Sequence, residues 1–458
     1  MFSSFLRYLL IGLVLIPSLA LAAGPAGPSF LTGTTEGHPI DIVLAYVQSN
    51  SDSLGLSAAD LDGLRVEHYQ TEQTGITHVR LIQRLGDIDV FHGDILANVA
   101  SDGSIINLHN RFVTDLAGRA GSAAAEISAV EGVEAAALHL GLTVSETITV
   151  ETQSRDAELV TVLSEGGISR RKIPTQLVWS IGKTANLAWN MSIYETESDH
   201  WWSLRVDAAT GEVIEKNDWV VHDRFDRSGH GGGVELAPSA GLAKTAVSGF
   251  TSAYLVYPWP DESPHHTTPA PPADGRLLEE DPENFASPYG WHDTSGSPGA
   301  EYTTTQGNNV DAQKSGAEAD CGAALDCSFA LDLTVEPTVG SNVDAAIANL
   351  FYWNNLVHDV WYRYGFDEAS GNFQFNNYGN GGAPYDAVIA NAQASGNCNA
   401  NFGTPSDGGA PTMNMYTCDI ASPSRDGDLD NGVIAHEYGH GISNRLTGGS
   451  SVSCLNNS

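Results

Sequence analysis

The chain has 458 residues, 41% of them apolar and 8% aromatic, enough for two or three globular units with a core in each. Against 21 Lys and Arg stand 56 Asp and Glu, a formal net charge of −35. A charge of that sign repels nucleic-acid phosphates and anionic lipid, which excludes both as partners and suits an extracellular surface.

At the N-terminus, Arg7 precedes an apolar run over residues 9–19, and Ala20-Leu21-Ala22 has the small-x-small pattern of a signal-peptidase site. The run falls short of the ~20 residues that span a bilayer. Residues 1–22 therefore read as an export signal, with the remainder expected to be secreted and extracellular. Residues 40–65 read as a helix and turn. Period-two alternation then predicts strands over 77–84, 88–92, 94–99 and 105–109, broken by Gly86-Asp87 and Asp102-Gly103 turns, which means an antiparallel sheet. Residues 127–140 have helical spacing and end at Gly141, and later strands are expected near 176–179, 187–194, 201–206 and 212–214. No catalytic groups cluster in this half.

Ser228-Gly229-His230-Gly231-Gly232-Gly233 is a flexible connector, and residues 258–300 are rich in Pro, Gly, Ser and acids, so a boundary is expected between about 225 and 252. All five cysteines, Cys321, Cys327, Cys398, Cys418 and Cys454, follow it without C-x-x-C spacing, which argues for disulfides rather than a cysteine zinc site. The local pairings Cys321–Cys327 and Cys398–Cys418 are expected, leaving Cys454 odd. A long helix is predicted over 341–364, with Ile347, Leu350, Val357, Trp361 and Tyr364 on one stripe and Gly365 as its stop. A second is predicted from Asn431, as N-cap, to Arg445.

That second helix carries His436-Glu437-Tyr438-Gly439-His440, an H-E-x-x-H pattern. Residues four apart lie about one turn apart on one helix face, so both imidazoles can reach one Zn²⁺. Glu437 then stands beside the metal as a general base and acid. Two surface histidines on an ordinary helix would give the same pattern. Against that stand the apolar approach Val433-Ile434-Ala435 and two glycines, Gly439 and Gly441, which suggest close approach by another segment. The longer metzincin motif fails at Ser443 and Leu446. Asp426, Asp428 and Asp430 mimic an EF-hand, but Asn431 stands where that loop needs Gly; a different Ca²⁺ site on these acids stays open. A third zinc ligand is not found in residues 448–458, which hold no Asp, Glu or His, and is expected beyond Ser458.

These motifs resemble the fungalysin family of secreted zinc metallopeptidases, relatives of thermolysin. Residues 432–449 (GVIAHEYGHGISNRLTGG) look like that family's zinc helix, and residues 349–374 like its long first catalytic helix. Asn399-Ala400-Asn401-Phe402 resembles the strand that runs along the substrate backbone, which implies Asn399 and Ala400 as substrate contacts. His358 and Asp359 fit the pattern with a helix-packing role. Residues 77–113 resemble the fungalysin/thermolysin propeptide, and residues 127–216 a PepSY-type module. The resemblance implies an α+β protein in which an antiparallel-sheet propeptide precedes the N-terminal part of a thermolysin-like metallopeptidase domain. Its expected parts are a signal (1–22), a first propeptide domain (23–120), a PepSY-like region (121–225), a linker with processing near 240–253 (226–252) and the catalytic domain (253–458). It further implies a zymogen with one catalytic zinc on His436 and His440, Glu437 as base, its own propeptide as intramolecular inhibitor, and protein substrates cut at internal bonds. A secreted, non-catalytic binding protein is the alternative.

Overall fold

A computed structural model describes residues 30–71, 74–222, 252–264, 274–280 and 285–447. The expected export signal, most of the linker with its processing region, and Cys454 lie outside the described residues.

Helices α1 (Pro39–Ser49) and α2 (Ser51–Leu54) lead into a meander of β1 (Arg65–Thr71), β2 (Ile76–Leu85), β3 (Ile88–Val99) and β4 (Ile105–Asn110). The single turn α3 (Leu116–Arg119) and helix α4 (Ala129–Leu140) follow. Next come β5 (Val150–Gln153), β6 (Thr161–Leu163), β7 (Ile173–Ile181), β8 (Ala185–Tyr194), β9 (Trp201–Asp207) and β10 (Val213–Asp218). One sheet holds all ten strands, in the order β1-β2-β3-β7-β8-β9-β10, with β4 added on β3 and β5-β6 on β7.

Local chemistry explains these boundaries. Ser128 accepts from the Glu131 amide while Glu131 accepts from the Ser128 amide at 2.7 Å, a capping box that starts α4. Gly141, at φ 75°, ends it. Gly86 and Asp87 both have positive φ (61° and 62°), the turn that matches the twist of the β2–β3 hairpin. Where two strands were expected around Gly93, one bent strand runs through. Ile82 pairs with Asp94 and Arg84 with Asp89, so residues 90–93 bulge past Gln83. A Cβ on Gly93 would fall 2.5 Å from the Val90 side chain, which is why glycine sits in the bulge. β1, β5 and β6 were not foreseen; β1 is a polar edge strand and the other two are short.

The N-terminal half has two main cores, beside a small cluster of Tyr194, Trp201 and Val220. One gathers Val43, Leu81, Ile95 and Val99 under α1; the other gathers Val133, Trp179, Trp189 and Leu204 under α4. β3 contributes to both.

The C-terminal half comprises β12 (Ala253–Val256), β13 (Leu277–Glu280), β14 (Val310–Lys314), β15 (Ala317–Glu318), β16 (Asp326–Cys327), α5 (Asn342–Arg363), β17 (Val388–Ala394), β18 (Ala400–Gly403), β19 (Thr412–Cys418), β20 (Arg425–Asp426) and α6 (Asn431–Leu446). Its main sheet runs β11-β18-β19-β17-β14-β15, with β20 on β19 and β11 (Val220–His222) supplied from before the linker. β17 lies parallel to β14 and β19, and β18 antiparallel to β19. Both expected disulfides, Cys321–Cys327 and Cys398–Cys418, are formed. Phe351, Phe373, Phe402 and Tyr438 pack between the sheet and α5 and α6.

α5 spans the predicted segment and Gly365 (φ 96°) follows its end, but the apolar stripe needs correction. Ile347, Leu350 and Val357 are buried, whereas Trp361 is 42% and Tyr364 82% exposed. The buried face instead includes Asn349, Asn354, Asn355, His358 and Asp359. His358 Nδ1 meets Asp359 Oδ1 at 2.9 Å, and Asp359 accepts from Ser287 Oγ and Trp291 Nε1, each at 2.8 Å. Those partners satisfy the Asp359 carboxylate within the protein.

Candidate metal centre

α6 starts one residue earlier in its capping than expected. Asp430 is the N-cap, accepting from the Val433 amide at 3.2 Å. Asn431 is already helical and its side chain is buried: its Nδ2 donates to Tyr257 O (2.9 Å) and Asp261 O (2.8 Å), and its Oδ1 accepts from Asn349 Nδ2 (2.9 Å). These bonds tie the start of α6 to α5 and to the chain after β12.

One turn on, His436, Glu437 and His440 offer ligand atoms within 4.8 Å of one another, the one such group among the described residues. The two imidazole rings are 4.7 Å apart at 88°. His436 is exposed, His440 half-buried and Glu437 wholly buried. Two neutral nitrogen donors beside a carboxylate fit the ligand chemistry of Zn²⁺.

Of the two glycines, only Gly441 makes the expected close approach. A Cβ there would fall 2.5 Å from Phe402 and 2.9 Å from Phe373, so Gly441 lets α6 press onto β18; beside Gly439 there is open space. Ala400 is buried at the head of β18, and Asn399 lies half-buried just before it.

The end of α6 is held by a residue whose part sequence reasoning missed. Arg445 is 2% exposed and its guanidinium lies 4.8 Å over the Phe373 ring. It donates to Pro405 O (3.0 Å), Gly371 O (2.8 Å), Ser406 O (3.4 Å) and Gly409 O (3.2 Å), and to the carboxylates of Asp386 (3.0 Å) and Asp407 (3.2 Å). Burial pushes Asp386 up to about 6, against the pull of Arg445 and with Asp407 adding to the rise. An Arg in the last turn of a helix is the only sequence signal for this clamp.

The three acids considered for calcium serve separate ends. Asp426 caps the turn before α6 by accepting from the Asp428 amide (3.1 Å), Asp428 accepts from the Gln393 amide (2.9 Å), and Asp430 caps α6. Among the described residues they do not form a three-ligand group.

The N-terminal half covers this region. β11 pairs antiparallel with β18, Val220 opposite Gly403 and His222 opposite Asn401, and so takes the edge that β18 would otherwise present. Thr404 N donates to Trp219 O (3.2 Å). Arg171, its guanidinium 4.9 Å over the Trp201 ring, donates to Ala410 O (2.8 Å) and Thr412 Oγ1 (2.9 Å).

Residues 253–458 match the family described as fungalysin metallopeptidase (M36), and residues 62–112 match the fungalysin/thermolysin propeptide motif. The chain belongs to the fungalysin family. Among curated fungalysin relatives, it is 34% identical over 405 residues to the extracellular metalloproteinase MEP of Fusarium vanettenii, covering 85% of this chain and 56% of that protein. It is 32% identical over 431 residues to the extracellular metalloproteinase mep of Aspergillus fumigatus, covering 90% of this chain and 61% of that protein. The Aspergillus niger counterpart is 32% identical over 410 residues, 85% of this chain and 57% of that protein. The chain thus spans somewhat over half the length of the curated relatives it matches. No helix of the described residues is long and apolar enough to cross a membrane.

Proposed function

We propose that the intact gene product is a secreted zinc metalloendopeptidase made as an autoinhibited precursor. What carries this reading is the grouping of His436, Glu437 and His440 on one face of α6 in a chain of the fungalysin family. His436 and His440 would hold the zinc, with a third ligand that residues 448–458, which contain no Asp, Glu or His, do not supply. When bound, zinc supplies a Lewis acid that polarises the scissile carbonyl and eases the ionisation of water. Glu437 accepts the proton of the attacking water and delivers it to the leaving amine. Residues 253–458 form the catalytic domain in this reading, residues 23–120 the first propeptide domain, and residues 121–225 a PepSY-like region. The substrate lies along β18, in contact with Asn399 and Ala400, and β11 holds that edge in the precursor as an added strand. Secretion is supported by the relatives' names, and processing is placed at about 240–253. One zinc is the proposed cofactor; the acids at 426, 428 and 430 carry no calcium proposal.

The deciding experiment uses the processed, full-length protein. Casein cleavage should stop on chelation, and Glu437→Gln should lower the rate by about 10²–10⁴-fold while zinc stays at one per chain. Full activity in that variant would remove Glu437 from the reaction.

A further inference from the structure

Four amides cross the main C-terminal sheet in one line. Gln313 pairs with Asn391, Asn391 with Asn414, and Asn414 with Asn401, so their side chains share one face across β14, β17, β19 and β18. Each donates to the next: Gln313 Nε2 to Asn391 Oδ1 (3.3 Å), Asn391 Nδ2 to Asn414 Oδ1 (2.9 Å), and Asn414 Nδ2 to Asn401 Oδ1 (2.8 Å). Asn401 Nδ2 then donates to the Tyr416 hydroxyl, which donates to Asp199 Oδ2 at 3.0 Å.

The direction of this line is set at its end. A carboxylate only accepts, so the Tyr416 proton goes to Asp199, and Asn401 must turn its NH₂, not its oxygen, to the phenol. Every amide behind it is thereby oriented. Tyr416 itself is 5% exposed, and a Cβ on Gly396 would fall 2.5 Å from its ring, so the ring lies flat on glycine with no room to turn aside. Asp199 lies between β8 and β9, in the half upstream of the expected processing region. Its departure leaves a fixed O–H donor aimed away from Asn401 with its acceptor gone.

The register says what would replace that acceptor. A peptide added to β18 in place of β11 puts one residue opposite Asn401, where His222 now stands. Residues directly opposite in an antiparallel pair point to the same face, so that residue's side chain projects on the face where Tyr416 ends the line.

We propose that Tyr416 is a substrate-reading residue. Its hydroxyl donates to an oxygen acceptor on the side chain of the peptide residue paired with Asn401, a Gln or Asn amide or a Glu or Asp carboxylate, and Asp199 holds that place in the precursor. The inference rests on the protease reading above and adds a preference to it.

The test uses processed full-length protein carrying Glu437→Gln, so that labelled octapeptides bind without being cut. Peptides with a single Gln, Glu or Leu at each position in turn are compared by fluorescence anisotropy. One position should favour Gln or Glu over Leu by about 3–10-fold, the range of one hydrogen bond. Tyr416→Phe should erase that preference and leave the Leu peptides within about twofold. Asn401→Asp, which keeps the phenol but draws its proton back, should erase it as well. Equal gains for Gln and Glu assign any oxygen acceptor, and a gain for Glu alone narrows it to carboxylates. A preference that survives both variants, or no preferred position at all, overturns the inference. A zinc-loaded protein that binds no peptide overturns the protease reading and this one with it.

Discussion

Two glycines about half a turn apart on α6, Gly439 and Gly441, do different work. Gly441 is a contact residue: its missing Cβ is where Phe402 and Phe373 lie. Gly441→Ala should therefore cost about 1–3 kcal/mol, the usual range for overpacking a filled core. Gly439 faces open space, so Gly439→Ala should be neutral or raise stability by up to about 1 kcal/mol through helix propensity. Denaturant melts of the two variants separate the cases, and equal losses would mean that α6 is not seated on β18 as described. At this scale the sequence was readable where chemistry is local. His436, Glu437 and His440 meet because one helical turn brings them together, and nothing distant is needed. Arg445, Tyr416 and Asn401 were not readable in this way. Their partners lie on other strands and loops, Asp199 as far as 217 residues from Tyr416, and no spacing rule links them.

At the scale of elements, Arg445 fastens the end of α6 to the loop between β18 and β19 through three of that loop's carbonyls, and also bonds the Gly371 carbonyl and the carboxylates of Asp386 and Asp407. Two carboxylates around one guanidinium leave an excess negative charge in the interior, and burial raises Asp386 to about 6 in response. A carboxyl raised above its ordinary 3.8 contributes stability below about 3.8 and loses that contribution as pH rises through about 6. Relative to Asp386→Asn, the native chain should thus gain stability on acidification from pH 7 to 4, by on the order of 1–3 kcal/mol. Parallel pH profiles of melting for the two proteins would remove Asp386 from the pH response. Elements with their own start and stop signals, α4, α5 and α6, were legible to within a residue or two. The bulge in β3 and the polar strand β1 were not, because each depends on a neighbouring strand for its register. β11 is the strongest case: its three residues follow β10 in sequence but pair with β18, some 180 positions on.

Across the whole molecule, the contacts by which the N-terminal half holds the other include β11 on β18, Trp219 O on Thr404 N, Arg171 on Ala410 O and Thr412 Oγ1, and Asp199 on Tyr416. In each of them the N-terminal partner lies upstream of the expected processing region and the other partner downstream of it. Cutting the backbone at about 240–253 therefore leaves every one of these contacts intact.

Scission and liberation become separate events, and the second obeys mass action. A nicked sample should behave as a complex of two fragments, in which the severed piece competes with peptides as a slowly leaving product. Rate per mole of enzyme should climb when that sample is diluted about 100-fold, and fall again when it is concentrated. A rate per mole that never varied with dilution would mean that the strand departs with the cut.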